Sequence, residues 1–109
     1  MSVLFSSDRL FHLELYNRMW KKTFYETDRA ESEQVISLVF WGIRYSGTPI
    51  GSLIGPKVVE ATEEEKNLLG AVCDINGLTL LFIEANGRRY PVLCEGWTVN
   101  TFNINSEDF

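Results

Sequence analysis

The clearest pattern in the chain is a series of apolar runs separated by turn residues in its C-terminal part. Two Asn-Gly dipeptides, Asn76-Gly77 and Asn86-Gly87, stand ten residues apart and enclose the mostly apolar segment 78–85. Asn-Gly between apolar runs is the strongest short-range signal for a two-residue hairpin turn. We therefore predict an antiparallel meander of consecutive strands near 71–75, 78–85, 88–94 and 97–104.

The N-terminal segment, from residue 6 to residue 24, fits two structures. Phe11, Leu13 and Leu15 alternate with polar residues, as in a strand with one buried face. Serine and aspartate at positions 6–8 suit the cap of a helix, and the segment continues through good helix formers without Gly or Pro. The sequence leaves both structures open and favours the helix slightly.

The middle of the chain combines a strongly apolar run with polar and breaker-rich segments. Segment 35–45 is rich in β-branched and aromatic residues, and its apolar side chains occur at both odd and even positions. This pattern predicts a central strand covered on both faces over 35–41. Segment 26–33 is polar and is expected to form an exposed connection. Segment 46–56 contains three Gly and two Pro, which predicts a long loop or a very short strand pair.

One short helix is predicted near 63–69. Thr62 and Glu65 have the spacing of a capping box, in which each side chain accepts a hydrogen bond from the backbone of the other residue. The acids at 63–65 complement the positive end of the helix dipole, and Gly70 is a typical terminator.

Length and composition fit one folded domain over residues 1–109. The chain has a mass of 12.5 kDa, is 45% hydrophobic, and contains three Trp, four Tyr and seven Phe. We expect an α+β fold: a twisted antiparallel sheet of five or six strands with the short helix, and a second helix if the N-terminal segment is helical.

The formal net charge of -5 argues against nonspecific binding to nucleic acid or to anionic lipid. No segment approaches the roughly 20 consecutive apolar residues of a membrane-spanning helix. The N-terminus lacks a basic region followed by a long apolar stretch, as a secretory leader would have. These features together predict a cytoplasmic protein.

No reaction chemistry is apparent in the sequence. His12 is the single histidine, and it stands without a nucleophile motif, so we expect it to be a polar surface residue rather than a catalytic one. The hairpin register places Cys73 opposite Leu80 and Cys94 opposite Thr79, too far apart for a disulfide, which predicts two free buried thiols. We expect no metal, no cofactor and no enzymatic activity.

The clustered acids and the surplus aromatic residues are the best candidates for a functional surface. They predict a small protein that binds and neutralises a basic protein, such as an immunity protein against a toxin nuclease or a phage-encoded inhibitor. The candidate contact residues are Glu31, Glu33, Tyr45, Glu60, Glu63, Glu64, Glu65 and Trp97.

Two other functions stay open. The first is a small-ligand-binding or enzymatic domain with a pocket under the 46–56 loop, in which Glu84 or Asp74 would supply an ionisable group. The second is a structural subunit that assembles with copies of itself through a sheet edge or an apolar face. The sequence does not predict the oligomeric state.

Overall fold

The computed structural model describes residues 3–17, 19, 21–27, 34–48 and 51–103. In this part of the chain there are ten strands and one helix. The strands are β1 Val3–Ser6, β2 Leu10–Asn17, β3 Lys22–Thr27, β4 Gln34–Trp41, β5 Tyr45–Ser46, β6 Ser52–Ile54, β7 Lys57–Glu60, β8 Thr79–Ala85, β9 Arg88–Cys94 and β10 Gly96–Asn103, and the helix is α1 Glu63–Gly70.

The strands form two antiparallel five-stranded sheets. Sheet 1 has the order β1-β7-β8-β9-β5, and sheet 2 has the order β10-β4-β3-β2-β6. Apolar side chains from both sheets meet in one buried cluster, which is therefore the main core. Its members are Phe11, Tyr25, Leu38, Phe40, Leu53, Val58, Leu81, Ile83, Ala85, Val92 and Cys94.

The α+β class is confirmed, whereas the single sheet of five or six strands is wrong. The predicted meander breaks after β9, because β10 pairs with β4 of sheet 2 along eight residue pairs. Only Glu95 separates β9 from β10. A two-residue hairpin turn does not fit into one residue, so the chain passes from one sheet to the other at this point.

Of the two hairpins predicted at the Asn-Gly dipeptides, one forms and the other does not. Asn86-Gly87 forms the predicted hairpin turn between β8 and β9, with φ of 57° and 70°, the left-handed pair that a type I′ turn requires. The other hairpin is wrong, because segment 71–75 forms no strand. The backbone N–H groups of Val72 and Cys73 both donate to the Leu69 carbonyl, so this segment follows the end of α1 instead of pairing with β8.

The slight preference for an N-terminal helix is also wrong, since residues 6–24 include the end of β1, the whole of β2 and the first part of β3. Phe11 and Leu13 face the core, while His12 between them lies on the other face of β2. Burial of one face of an alternating pattern outweighs the intrinsic helix propensity of the residues.

The central position of β4 is confirmed, because it lies between β10 and β3. Val35 and Leu38 point to opposite faces and both are completely buried. The strand ends earlier than residue 45, because Gly42 has a φ of 61°. The short strands β5 and β6 do form within 45–56, but they join different sheets rather than each other.

The helix α1 is confirmed, including its capping box at Thr62 and Glu65. Leu69 of α1 packs on a small cluster of Ala61, Leu80 and Leu93, on the face of sheet 1 that points away from the core. Among the described residues, no helix has the length and apolar character needed to cross a membrane.

The two cysteines differ in burial. Cys94 is buried opposite Thr79, as predicted. Cys73 is exposed, and its predicted burial is wrong because it follows the helix end instead of lying in a strand. Both thiols are free.

Candidate functional site

Six of the eight predicted contact residues lie in the described part of the chain, and they are distributed over three parts of the fold. Glu31 and Glu33 are outside the described residues. Tyr45 lies at the edge of sheet 1 and Trp97 in sheet 2. The four glutamates surround the beginning of α1: Glu60, Glu63, Glu64 and Glu65.

The glutamates at the start of α1 are partly neutralised by a neighbouring lysine. The Lys66 Nζ atom lies 3.5 Å from a carboxylate oxygen of Glu60 and 3.5 Å from one of Glu63. Exposed pairs of this length contribute little to stability. They do reduce the negative charge that this surface presents to a partner.

Glu65 has a structural role at the same helix end. Its carboxylate accepts hydrogen bonds from the Arg89 guanidinium and from the Thr62 backbone N–H. These contacts, with Arg89 the stronger, lower the pKa of Glu65 to about 2. The carboxylate is thus committed to contacts within the chain.

Arg89 connects α1 to the outer face of sheet 1. Its guanidinium lies 3.8 Å from the centre of the Phe82 ring, and its Nε atom is 3.4 Å from a Glu84 carboxylate oxygen. The pairing with Glu84 follows from the hairpin register at Asn86-Gly87 and could be predicted from the sequence. The contact with Glu65 could not, since no local pattern joins positions so far apart.

The two aromatic candidates have different environments. The Trp97 ring stacks on Phe40 at a centroid distance of 6.4 Å and packs against the main core. Tyr45 is 60% exposed and lies opposite Leu93 in the register of β5 and β9. Tyr45 is therefore the one of the two that presents a large surface to solvent.

Tyr45 stands beside a groove of about 720 Å³ on the outer face of sheet 1. The groove lies between β5 and the connection from α1 to β8. Its lining residues are Arg44, Tyr45, Leu69, Cys73, Asp74, Asn76, Gly77, Leu78, Leu93 and Glu95. We call this feature the Tyr45 groove.

The Tyr45 groove combines apolar and charged groups. Leu69, Leu78 and Leu93 belong to the cluster beneath α1 and supply apolar surface. Asp74 and Glu95 bring two carboxylates, against the single guanidinium of Arg44. This composition suits a ligand that has both an apolar and a positively charged part.

Local structure fixes the two acidic side chains. Asp74 Oδ1 accepts a hydrogen bond of 3.0 Å from the Asn76 N–H, which orders the turn before β8. The Glu95 side chain lies across Gly42, so closely that a Cβ atom there would collide with it. Gly42 is thus required both for its positive φ and for the space that Glu95 occupies.

The sequence singles out Tyr45 as a contact residue and Asp74 as a possible ionisable group, but it does not place them together and does not single out Glu95. Asp74 lies in segment 71–75, which forms no strand. The three segments of the groove meet only through long-range pairing of β5 with β9 and packing of α1. No pattern within one segment could have brought them together.

A second cavity, of about 510 Å³, lies at the tip of the β8–β9 hairpin. It meets the 46–56 segment at Ile54 and Gly55, whereas residues 49 and 50 lie outside the described residues. A pocket under that loop therefore stays a prediction. The charged residues lining this cavity are Lys57, Glu84, Arg88 and Arg89.

His12 and Cys94 are two further residues of types that often take part in reactions. The His12 Nδ1 atom lies 3.0 Å from the Ser52 hydroxyl, on the face of sheet 2 that points away from the core. Burial raises the pKa of the Cys94 thiol to about 11, which favours the unreactive protonated form. Among the described residues, no three metal-ligating side chains come together.

Comparison with known proteins adds no relative. The chain matches no protein-family model, and searches of curated proteins and of solved structures gave no significant match.

Proposed function

We propose that this protein binds a basic partner protein through the Tyr45 groove and thereby masks the partner's functional surface. An inhibitor that occupies a cationic cleft, as an immunity protein does on a toxin nuclease, works in this way. The observation that carries the proposal is an exposed tyrosine beside an apolar groove in which carboxylates outnumber cations.

The groove supplies the two components of a strong protein contact. Tyr45 is an aromatic residue at the mouth of the groove, and such residues often dominate binding energy when a partner covers them. Asp74 and Glu95 provide negative charge next to this anchor, where a Lys or Arg side chain of a partner can reach them. The overall charge of -5 adds long-range attraction for a basic protein.

The proposal shifts the acidic contacts away from the start of α1. Glu60, Glu63 and Glu65 are paired with cations of the same chain. A partner would have to displace Lys66 or Arg89 to use these carboxylates. Among the predicted acids of α1, Glu64 remains exposed. It attracts a basic partner through its electrostatic field and does not line the groove.

A selected peptide can test the groove directly. We would select binders from a random peptide library displayed on phage and measure their affinity by fluorescence anisotropy at low and moderate salt. Enriched peptides should carry Lys or Arg beside an apolar residue and should bind more weakly as salt increases. Tyr45→Ala should weaken binding by about tenfold or more, the scale of a moderate hot spot.

The charge contribution needs a matched pair of variants. Asp74→Asn with Glu95→Gln removes two charges from the groove and keeps both side-chain shapes and the acceptor for the Asn76 N–H. Glu63→Gln with Glu64→Gln removes the same charge from α1. Weaker binding in the first pair alone supports the proposal. Peptides that bind Tyr45→Ala as tightly as the wild type, or a library without enriched sequences, would contradict it.

A further inference from the structure

The strand β10 forms an unusually open edge of sheet 2. It pairs with β4 over its whole length, and β4 is the one strand of the described residues that is hydrogen-bonded to it. Its eight residues, Gly-Trp-Thr-Val-Asn-Thr-Phe-Asn, include no charge and no proline. Edge strands of natural proteins usually carry charged residues or proline, because these prevent pairing with another strand.

The backbone groups of β10 alternate between β4 and the open side. The Ile36 N–H donates to the Thr27 hydroxyl of β3, so even-numbered residues of β4 direct their backbone groups to β3 and odd-numbered ones to β10. The β10 residues opposite those odd-numbered positions are Gly96, Thr98, Asn100 and Phe102. The backbone groups of Trp97, Val99 and Thr101 therefore point outward.

Among the described strands, the outer strand β1 of sheet 1 is less suited to pairing with a further strand. The outer strand β1 of sheet 1 has four residues, and its register with β7 shifts between Val3 and Phe5. A shift of this kind twists an edge and interrupts regular pairing. β10 has an uninterrupted register and twice the length.

From this geometry we infer that β10 is a dimerisation edge, at which a second copy of the chain adds its own β10 in antiparallel orientation. The occupant is a second copy because β10 is uncharged although the chain carries a net charge of -5. Two copies can therefore approach along this edge without direct repulsion between facing side chains. The result is a continuous sheet across a two-fold axis.

One register satisfies the outward backbone groups of both copies. Pairing Val99 with the same residue of the second copy places each Trp97 opposite a Thr101. Both of these pairings are of the hydrogen-bonded type, which gives about six hydrogen bonds across the axis. It also places each Thr98 opposite an Asn100, in the closer type of pair where side chains meet.

The same register covers exposed aromatic surface. It sets each Phe102 opposite Gly96 of the other copy, and the Trp41 ring lies directly over Gly96. Trp41 is 40% exposed and Phe102 is 37% exposed, both on the face of sheet 2 that points away from the core. An aromatic side chain placed across from a strand glycine is a recognised way to stabilise it.

Introducing charge at the Thr98–Asn100 pair tests the register. Both side chains are exposed, so the monomer should tolerate Thr98→Lys with Asn100→Lys, or Thr98→Glu with Asn100→Glu. Each double variant alone places like charges opposite each other in the dimer, and its dissociation constant should rise by about tenfold or more. An equimolar mixture of the two variants should restore dimerisation, because unlike charges then face each other.

Sedimentation equilibrium over a range of concentrations gives the readout. The wild-type mass should rise from 12.5 kDa towards twice that value and no further. Asn67→Lys with Leu68→Lys, on the exposed side of α1, adds the same charge away from the edge and should dimerise like the wild type. Circular dichroism at low concentration checks that each variant folds.

Three results would overturn the inference. They are a wild-type chain that stays monomeric at every concentration, a dimer that both double variants leave intact, and assembly beyond the dimer. The measurement is independent of the Tyr45 groove, since groove variants should bind peptide more weakly and yet keep the wild-type mass. Failure of one proposal is therefore distinguishable from failure of the other.

Discussion

The two edges of sheet 2 end in different ways. At one edge, the three-residue strand β6 is closed by the side chain of Asn86, whose Oδ1 accepts from the Ile54 N–H at 2.8 Å and whose Nδ2 donates to the Ser52 carbonyl at 3.0 Å. At the other edge, β10 presents eight residues without a charge or a proline.

The comparison shows that a sheet edge can be protected by one amide. A carboxamide has an acceptor and a donor side by side, which is the arrangement that a neighbouring strand offers. Asn86 also occupies the left-handed turn position between β8 and β9, which Asn tolerates better than most residues. One residue thus shapes a hairpin of sheet 1 and protects an edge of sheet 2.

The largest effect is expected from proline in β10. Asn100→Pro removes an N–H that is directed to β4, whereas Thr101→Pro removes one that points outward. We expect the first variant to destabilise the chain by about 3 kcal/mol and the second by less than about 1 kcal/mol, with loss of the dimer. Urea unfolding at low concentration measures the first effect and sedimentation the second. Equal destabilisation by both would show that the backbone directions are assigned wrongly.

The second effect concerns the β6 edge of sheet 2, which loses its side-chain hydrogen bonds when Asn86 is changed. Asn86→Ala removes both hydrogen bonds to β6 and a longer one to the Tyr90 hydroxyl. It also places a side chain that disfavours positive φ in the turn, and the total cost should be about 2 to 3 kcal/mol. Asn86→Gly keeps the turn and loses only the amide, so it should cost about 1 to 2 kcal/mol. Urea midpoints of the two variants separate the contributions. A glycine variant as stable as the wild type would mean that the amide does not support β6.

The same residues show what the sequence can predict. The hairpin at Asn86-Gly87 and the helix capped by Thr62 were predictable because each depends on residues that are neighbours along the chain. The second role of Asn86 was not, since its partners Ser52 and Ile54 lie more than thirty positions away. The uncharged character of β10 is visible in the sequence, but its position at an edge is not.

The candidate site follows the same rule. Tyr45 could be singled out as an aromatic residue at the end of an apolar run and beside a Gly-rich and Pro-rich segment. The groove next to it depends on Asp74 and Glu95, which approach Tyr45 only after β5 joins β9 and α1 packs on sheet 1. Pairing between distant segments is decided by the whole fold, so local patterns cannot reveal it.

The smallest effect is expected from the contact between Arg89 and Glu65, which joins the β8–β9 hairpin to α1. Arg89 bonds to Glu65, which lowers the pKa of Glu65 to about 2 from the ordinary value of 4.5. A carboxylate with a lowered pKa in the folded state contributes stability that is present above pH 4.5. This contribution is lost as the pH falls towards 2.

Glu65→Gln should therefore flatten the acid dependence of stability between pH 4.5 and 2. The difference from the wild type should be about 1 kcal/mol at neutral pH, because the pair is partly exposed to solvent. Glu63→Gln serves as the control, since Glu63 pairs with Lys66 and does not touch the hairpin. Urea unfolding at several pH values gives the comparison. Should Glu65→Gln retain the wild-type acid dependence, the Arg89 contact would not hold the hairpin against α1. The protection of β6 would then depend on Asn86 and the core alone.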